Sequence, residues 1–128
     1  MARQFSASSL KRLQECHPDL QSLMYAVLAR VDITILCGYR DKKAQDEAYL
    51  AGLSRAKFGE SPHNLSPSMA VDIAPTPIDW KNLQRFKDLA TVVKEEAKLL
   101  GIEVTWGGTF KGFADMPHFE LTGWKGKK

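Results

Sequence analysis

Polar and apolar positions along the chain change rhythm several times, and each change marks an element. Residues 6–15 carry a short helical pattern, with Ser6, Ser8 or Ser9 available as its N-cap. His17 and Pro18 interrupt it. Pro18 then suits the first turn of a second helix, with Asp19 near that helix's positive end. Leu20, Leu23, Met24, Val27 and Leu28 recur at helical spacing, which predicts one buried face. Residues 31–37 are rich in β-branched side chains and alternate at first, which predicts a strand ended by Gly38. Asp41 caps a predicted third helix that runs to Leu50 and stops at Gly52. Residues 53–68 hold Gly, Ser, Pro and Asn and read as a long loop, of the kind that is functional or disordered in compact domains.

A second strand is predicted over 69–74, ended by Pro75 and Pro77. Asp79 or Asn82 then opens the longest helix, to about Leu100. Its apolar stripe is Leu83, Phe86, Ala90, Val93, Ala97 and Leu100, with Gly101 just past its end. Short strands over 103–106 and 118–121 complete the set. Helices and strands do not alternate regularly. The expected fold is therefore α+β, a small and mainly antiparallel sheet packed against helices, in a single domain over 1–128.

Composition narrows the class. The 128 residues are 44% hydrophobic and 26% charged, as in ordinary globular chains, which excludes collagen-like and disordered readings. No apolar run approaches the ~20 residues that span a bilayer, so no membrane span is expected. Residues 1–12 carry Arg3, Lys11 and Arg12 but no apolar stretch of a secretory leader, so no signal peptide is expected either. A net charge of +3 is too mild to argue for nucleic acid, and no recognition motif accompanies it. The basic residues are dispersed except in the tail at 125–128, where Lys125, Lys127 and Lys128 form a solvated end that would also favour an anionic polymer such as a cell wall. Cys16 and Cys37 cannot build a disulfide framework. They read as buried thiols of a reduced protein, with a single bridge between them as the alternative.

Candidate chemistry centres on three histidines. Asp72 lies in the second predicted strand between Val71 and Ile73; if those two face the core, Asp72 faces a cleft or solvent. His63 precedes it in the long loop. His118 follows Pro117, with Asp115 three residues before it. Two His and one Asp give three ligands and leave a tetrahedral zinc one open position, the pattern of a catalytic rather than a structural site. A nearby carboxylate outside the ligand set then serves as proton acceptor. His17 reads as a helix-boundary residue, Arg40 on its own as a surface arginine, and Trp106 as packing around a tight turn or a cleft wall. Glu120 shares a strand face with His118 and is the second candidate for the base, or a partner of His118. Trp80 and Trp124 read as core or edge aromatics.

These pieces together resemble a known family. His17-Pro18-Asp19-Leu20, Gly38-Tyr39-Arg40 with Gln45, Ser61-Pro62-His63, Ala70-Val71-Asp72, Trp106-Gly107-Gly108 and Asp115-Met116-Pro117-His118-Phe119-Glu120 occur in the order seen in the zinc peptidases of peptidoglycan. These comprise D-alanyl-D-alanine carboxypeptidases and L-alanyl-D-glutamate endopeptidases, and the chain is most similar to the phage endolysin branch of the latter. The resemblance implies one Zn²⁺ per chain held by His63, Asp72 and His118. It implies Asp115 as catalytic base, Arg40 as a catalytic and substrate-binding arginine, and Gln45 and Ser61 near the substrate. It departs from the family pattern between His63 and Asp72, which lacks the usual Gly and runs two residues longer. The implied function is hydrolysis of the peptidoglycan stem peptide at the L-Ala–D-Glu bond, by a monomer without a separate wall-binding domain. The protein would be held in the host cytoplasm until another protein opens the membrane. D-alanyl-D-alanine carboxypeptidase activity is the alternative. A zinc-containing binding module without hydrolysis is a third reading, against which Asp115 stands.

Overall fold

The computed structural model describes residues 3–112 and 114–127, with side chains to Lys125. Helix α1 spans Ala7–Leu13, and the Ser6 hydroxyl accepts the Ser9 N–H at its start. Helix α2 spans Pro18–Leu28; the His17 ring, not a hydroxyl, caps it, Nδ1 accepting the Asp19 N–H at 3.0 Å. All five of its predicted apolar positions are buried. Strand β1 is Ile33–Cys37, two residues shorter than expected at its start. Helix α3, Lys42–Leu50, is capped by Asp41 as predicted.

Strand β2 is Ala70–Pro75 and helix α4 is Leu83–Leu100, capped by Asn82 and closed by Gly101 at φ 73°, where a side chain would be strained. The buried stripe of α4 is Phe86, Leu89, Ala90, Val93 and Ala97, while Leu83 and Leu100 stay exposed. Position within the helix explains the difference from the predicted stripe at Leu83 and Leu100. Both are terminal residues of the 18-residue helix, where the neighbouring elements no longer cover the side chain.

Strands β3, Val104–Trp106, and β4, His118–Leu121, complete a four-stranded sheet of order β1-β2-β4-β3 with every pair antiparallel. The expected α+β architecture is present. Leu13, Leu20, Leu23, Val27, Ile35, Val71, Ile73, Val93, Phe119 and Leu121 meet in one apolar core between the helices and one face of the sheet. The other face carries Asp72, His118 and Glu120. Among the described residues no helix is long and apolar enough to cross a membrane. Cys16 and Cys37 are free thiols, Cys16 buried and Cys37 only half-buried. Of the basic tail, Lys125 lies 5.7 Å over the Trp124 ring; Lys128 and the Lys127 side chain fall outside the described residues.

Candidate metal centre and cleft

Strand register builds the centre. In β2 the neighbours Val71 and Ile73 are buried, so Asp72 emerges on the opposite face, where its pairing partner in β4 is His118. The third member, His63, comes from the long loop, within a single 3₁₀ turn Pro62–Asn64. That turn has a capping box: the Ser61 hydroxyl accepts the His63 N–H at 3.2 Å, and the Asn64 side-chain oxygen accepts the Ser61 N–H at 3.2 Å.

The three side chains converge. His63 Nε2 lies 3.2 Å from Asp72 Oδ1, His118 Nδ1 lies 3.1 Å from the same oxygen, and the two ring nitrogens are 3.3 Å apart. The far side of each ring fixes its tautomer. His63 Nδ1 is 2.7 Å from the Gly38 carbonyl, which can only accept, so Nδ1 carries the proton. His118 Nε2 is 2.8 Å from Glu120 Oε1 and donates there in the same way. In the neutral rings His63 Nε2 and His118 Nδ1 are thus lone pairs, and they face each other and a carboxylate oxygen. Three lone pairs in contact call for a cation. Zinc bonds of about 2.0–2.1 Å place tetrahedral donors roughly 3.3–3.4 Å apart, so the donor set and its spacing suit zinc.

Without a metal, protons supply that positive charge. Burial opposes charging His63, but the Asp72 carboxylate outweighs it and its pKa is pushed up to about 10. His118, likewise buried, is raised to about 9 by hydrogen bonds to Asp72 and Glu120. Burial disfavours the Asp72 anion, yet the two rings hold its carboxyl well below the usual range.

Asp115 stands beside these three within ligand reach, as Cys37 does beside His63 and Asp72. Its carboxylate, Asp72 and His118 place ligand-type atoms within 4.8 Å of one another. Burial first, and the Asp72 charge second, raise its pKa. Its position is set by the turn after β3. The Asp115 N–H donates to Gly107 O at 2.9 Å, and the Trp106 indole N–H donates to Met116 O at 2.7 Å. Trp106 therefore packs against the turn, the first of its two expected readings. A Cβ on Gly107 would lie 2.4 Å from the Asp115 carbonyl oxygen, so only glycine permits this approach.

Arg40 lies on the other side of Asp72, with Nη2 3.6 Å from Oδ2. Its Nη1 donates to Gln45 Oε1 at 3.0 Å. Gln45 is fully buried and its amide is saturated by Ser54 Oγ and the Ala56 carbonyl. It therefore sits beneath Arg40 rather than in the cleft, whereas Ser61 lines the cleft itself.

The cleft has a volume of about 670 Å³ and is bordered by Arg40, Ser61, His63, Asp72, Asp115 and His118. Leu36, at the register shift in β1, and Trp80, read from sequence as a core or edge aromatic, also line it. The sequence reading missed the Gly38 carbonyl and Asn64. The S-x-x-N spacing of the capping box was a usable signal for Asn64; a backbone acceptor such as Gly38 O leaves none. The longer segment from His63 to Asp72 is anchored by Ser68, whose hydroxyl is 3.1 Å from Gly38 O and 2.7 Å from Ala70 O. Its backbone also bonds Glu15 and His17.

The arrangement is a cleft in which three side chains of metal-ligand type converge with a further carboxylate beside them. The sequence model of the phage L-alanyl-D-glutamate peptidases matches residues 1–122, and the chain belongs to that family. It is 36% identical over 106 residues to the peptidoglycan L-alanyl-D-glutamate endopeptidase CwlK of Bacillus subtilis (strain 168), a match covering 71% of this chain and 61% of that protein. Its fold is similar to the crystal structure of the Serratia marcescens L-Ala D-Glu endopeptidase ChiX, with a TM-score of 0.80 and 32% identity over 94% of this chain and 91% of that one. Both relatives are named for the L-Ala–D-Glu bond, and the carboxypeptidase alternative draws no support from them.

Proposed function

We propose that this protein is a zinc-dependent peptidase that hydrolyses the L-Ala–D-Glu bond of the peptidoglycan stem peptide, as a phage-type lytic enzyme that reaches the wall after release through the membrane. The observation that carries the reading is the convergence of His63 Nε2, His118 Nδ1 and Asp72 Oδ1 beside the free carboxylate of Asp115. His63, Asp72 and His118 hold one zinc per chain, and the bound ion supplies Lewis acidity toward the scissile carbonyl and toward water.

The chain's own groups do the rest. Asp115 takes the proton of the attacking water on its carboxylate and delivers it to the leaving amine of D-Glu. Its raised pKa suits a group that must both accept and release a proton. Arg40 presents a planar, permanently charged guanidinium to the carbonyl oxygen as negative charge develops there. Gln45 and Asp72 restrain that guanidinium from behind. Glu120 and the Gly38 carbonyl keep both imidazoles in the tautomers that present lone pairs to the ion.

Asp115→Asn keeps the side-chain shape but cannot accept a proton at neutral pH. It should retain zinc by metal analysis and lose digestion of purified peptidoglycan by roughly 10²–10⁴-fold. His118→Ala should lose zinc and activity together. An Asp115→Asn protein that digests peptidoglycan at near the wild-type rate would remove Asp115 from the mechanism.

A further inference from the structure

Trp80 lies in the connection between β2 and α4, and nothing in the proposed mechanism uses it. It borders the same cleft as His63, Asp72 and His118, yet it is 57% exposed. Ile78 and Leu83, close to it in sequence, are also exposed, at 40% and 51%, so this connection shows three large apolar residues to solvent within six positions. The Trp80 ring is not loose. It stacks on the buried Phe86 ring, centroids 5.6 Å apart and planes 17° from parallel. One face is therefore backed by the core, and the ring is held in place before any ligand arrives. A rigid aromatic face binds at low cost in side-chain entropy.

The substrate explains what such a face is for. In the stem peptide L-Ala joins the peptide to the glycan strand through a lactyl ether, so a sugar lies one residue and one short linker from the reacting carbonyl, on the acyl side. Residue and linker together span at most roughly 7 Å, which keeps that sugar within or beside a cleft of this size. A pyranose ring has an apolar C–H face that packs on an aromatic plane, with its polar groups directed to the rim. Asp79 and Lys81, the neighbours of Trp80 in sequence, are both exposed. We propose that Trp80 is the sugar-side specificity residue of the cleft, its free face taking the pyranose ring that carries the stem peptide. This rests on the endopeptidase reading and names the part of the substrate that the metal centre does not touch.

The test compares two soluble substrates with the full zinc-loaded chain. One is an N-acetylmuramoyl peptide containing L-Ala–D-Glu; the other is the same peptide with an N-acetyl group in place of the sugar. The wild type should favour the muramoyl substrate by roughly tenfold in kcat/KM, with the difference carried in KM, the effect of burying one sugar face on an indole. Trp80→Ala should bring the ratio close to one, and Trp80→Phe, which preserves an aromatic face on Phe86, should restore much of it. A wild type that cleaves both substrates equally well overturns the proposal and leaves the endopeptidase reading standing. So does a Trp80→Ala protein that keeps the wild-type ratio, or one that loses both substrates in equal proportion, since the ring would then only support Phe86. A wild type that cleaves neither sinks the endopeptidase reading, and the proposal with it.

Discussion

At the scale of single residues, the centre is a problem of proton placement. Gly38 O and Glu120 draw the ring protons outward, so His63 Nε2 and His118 Nδ1 are stable only against a cation. This gives the metal-free protein a definite pH dependence. His63 and His118 have folded pKa values of about 10 and about 9, above the ordinary 6.5, so the native state binds more protons than the unfolded chain. Their contribution to stability is full below about pH 6.5 and is lost as pH rises toward 9–10. Asp72 has the opposite sign: its lowered pKa contributes stability above about pH 4 that disappears on acidification. The Tm of metal-free protein should therefore fall between pH 7 and 10, and zinc should abolish that decline by replacing the protons. Thermal melts across this range check it; a metal-free Tm that rises between pH 7 and 9 would contradict the raised pKa values of His63 and His118. The ligand-type residues were legible in the sequence as residue types, and as a set through their resemblance to a family. Their hydrogen-bond partners were less so, because a carbonyl such as Gly38 O has no side chain to betray it.

At the scale of elements, short-range signals were read well and tertiary ones were not. The caps at Ser6, Asp41 and Asn82 use local hydrogen bonds, and the alternation around Asp72 follows from strand geometry alone. The true stripe of α4 depended on which turns its neighbours cover, which local periodicity does not contain. The loop over 53–68 offered no periodicity at all, and its order comes from Gln45, Asn64 and Ser68 bonding to distant backbone. The turn that carries Asp115 shows the same dependence. Gly107 touches both ends of it, since an added Cβ would meet Asp115 O at 2.4 Å and His118 Cβ at 2.9 Å. Gly107→Ala should push the base and a ligand out of register together. We expect a loss of peptidoglycan digestion on the order of 10²-fold from the misplacement, with destabilisation of roughly 1–3 kcal/mol from overpacking. Rates and denaturant melts of the purified variant measure both. Near-wild-type rates would mean that the turn does not set the Asp115 position.

At the scale of the whole molecule, one face of a four-stranded antiparallel sheet is buried under helices and the other carries Asp72, His118 and Glu120. β2 and β4 bring Asp72 to His118, the long loop lays His63 over them, and the turn after β3 adds Asp115. The family match over residues 1–122 and the similarity to ChiX extend across this whole arrangement rather than a motif within it. The central claim is the bond that is cut, and mass spectrometry of purified peptidoglycan digested by the zinc-loaded protein tests it most directly. Cleavage between L-Ala and D-Glu leaves L-Ala on the glycan and releases peptides that begin with a free D-Glu amine. Those peptides are the predicted product. Loss of a terminal D-Ala alone, with the L-Ala–D-Glu bond intact throughout, would contradict the account.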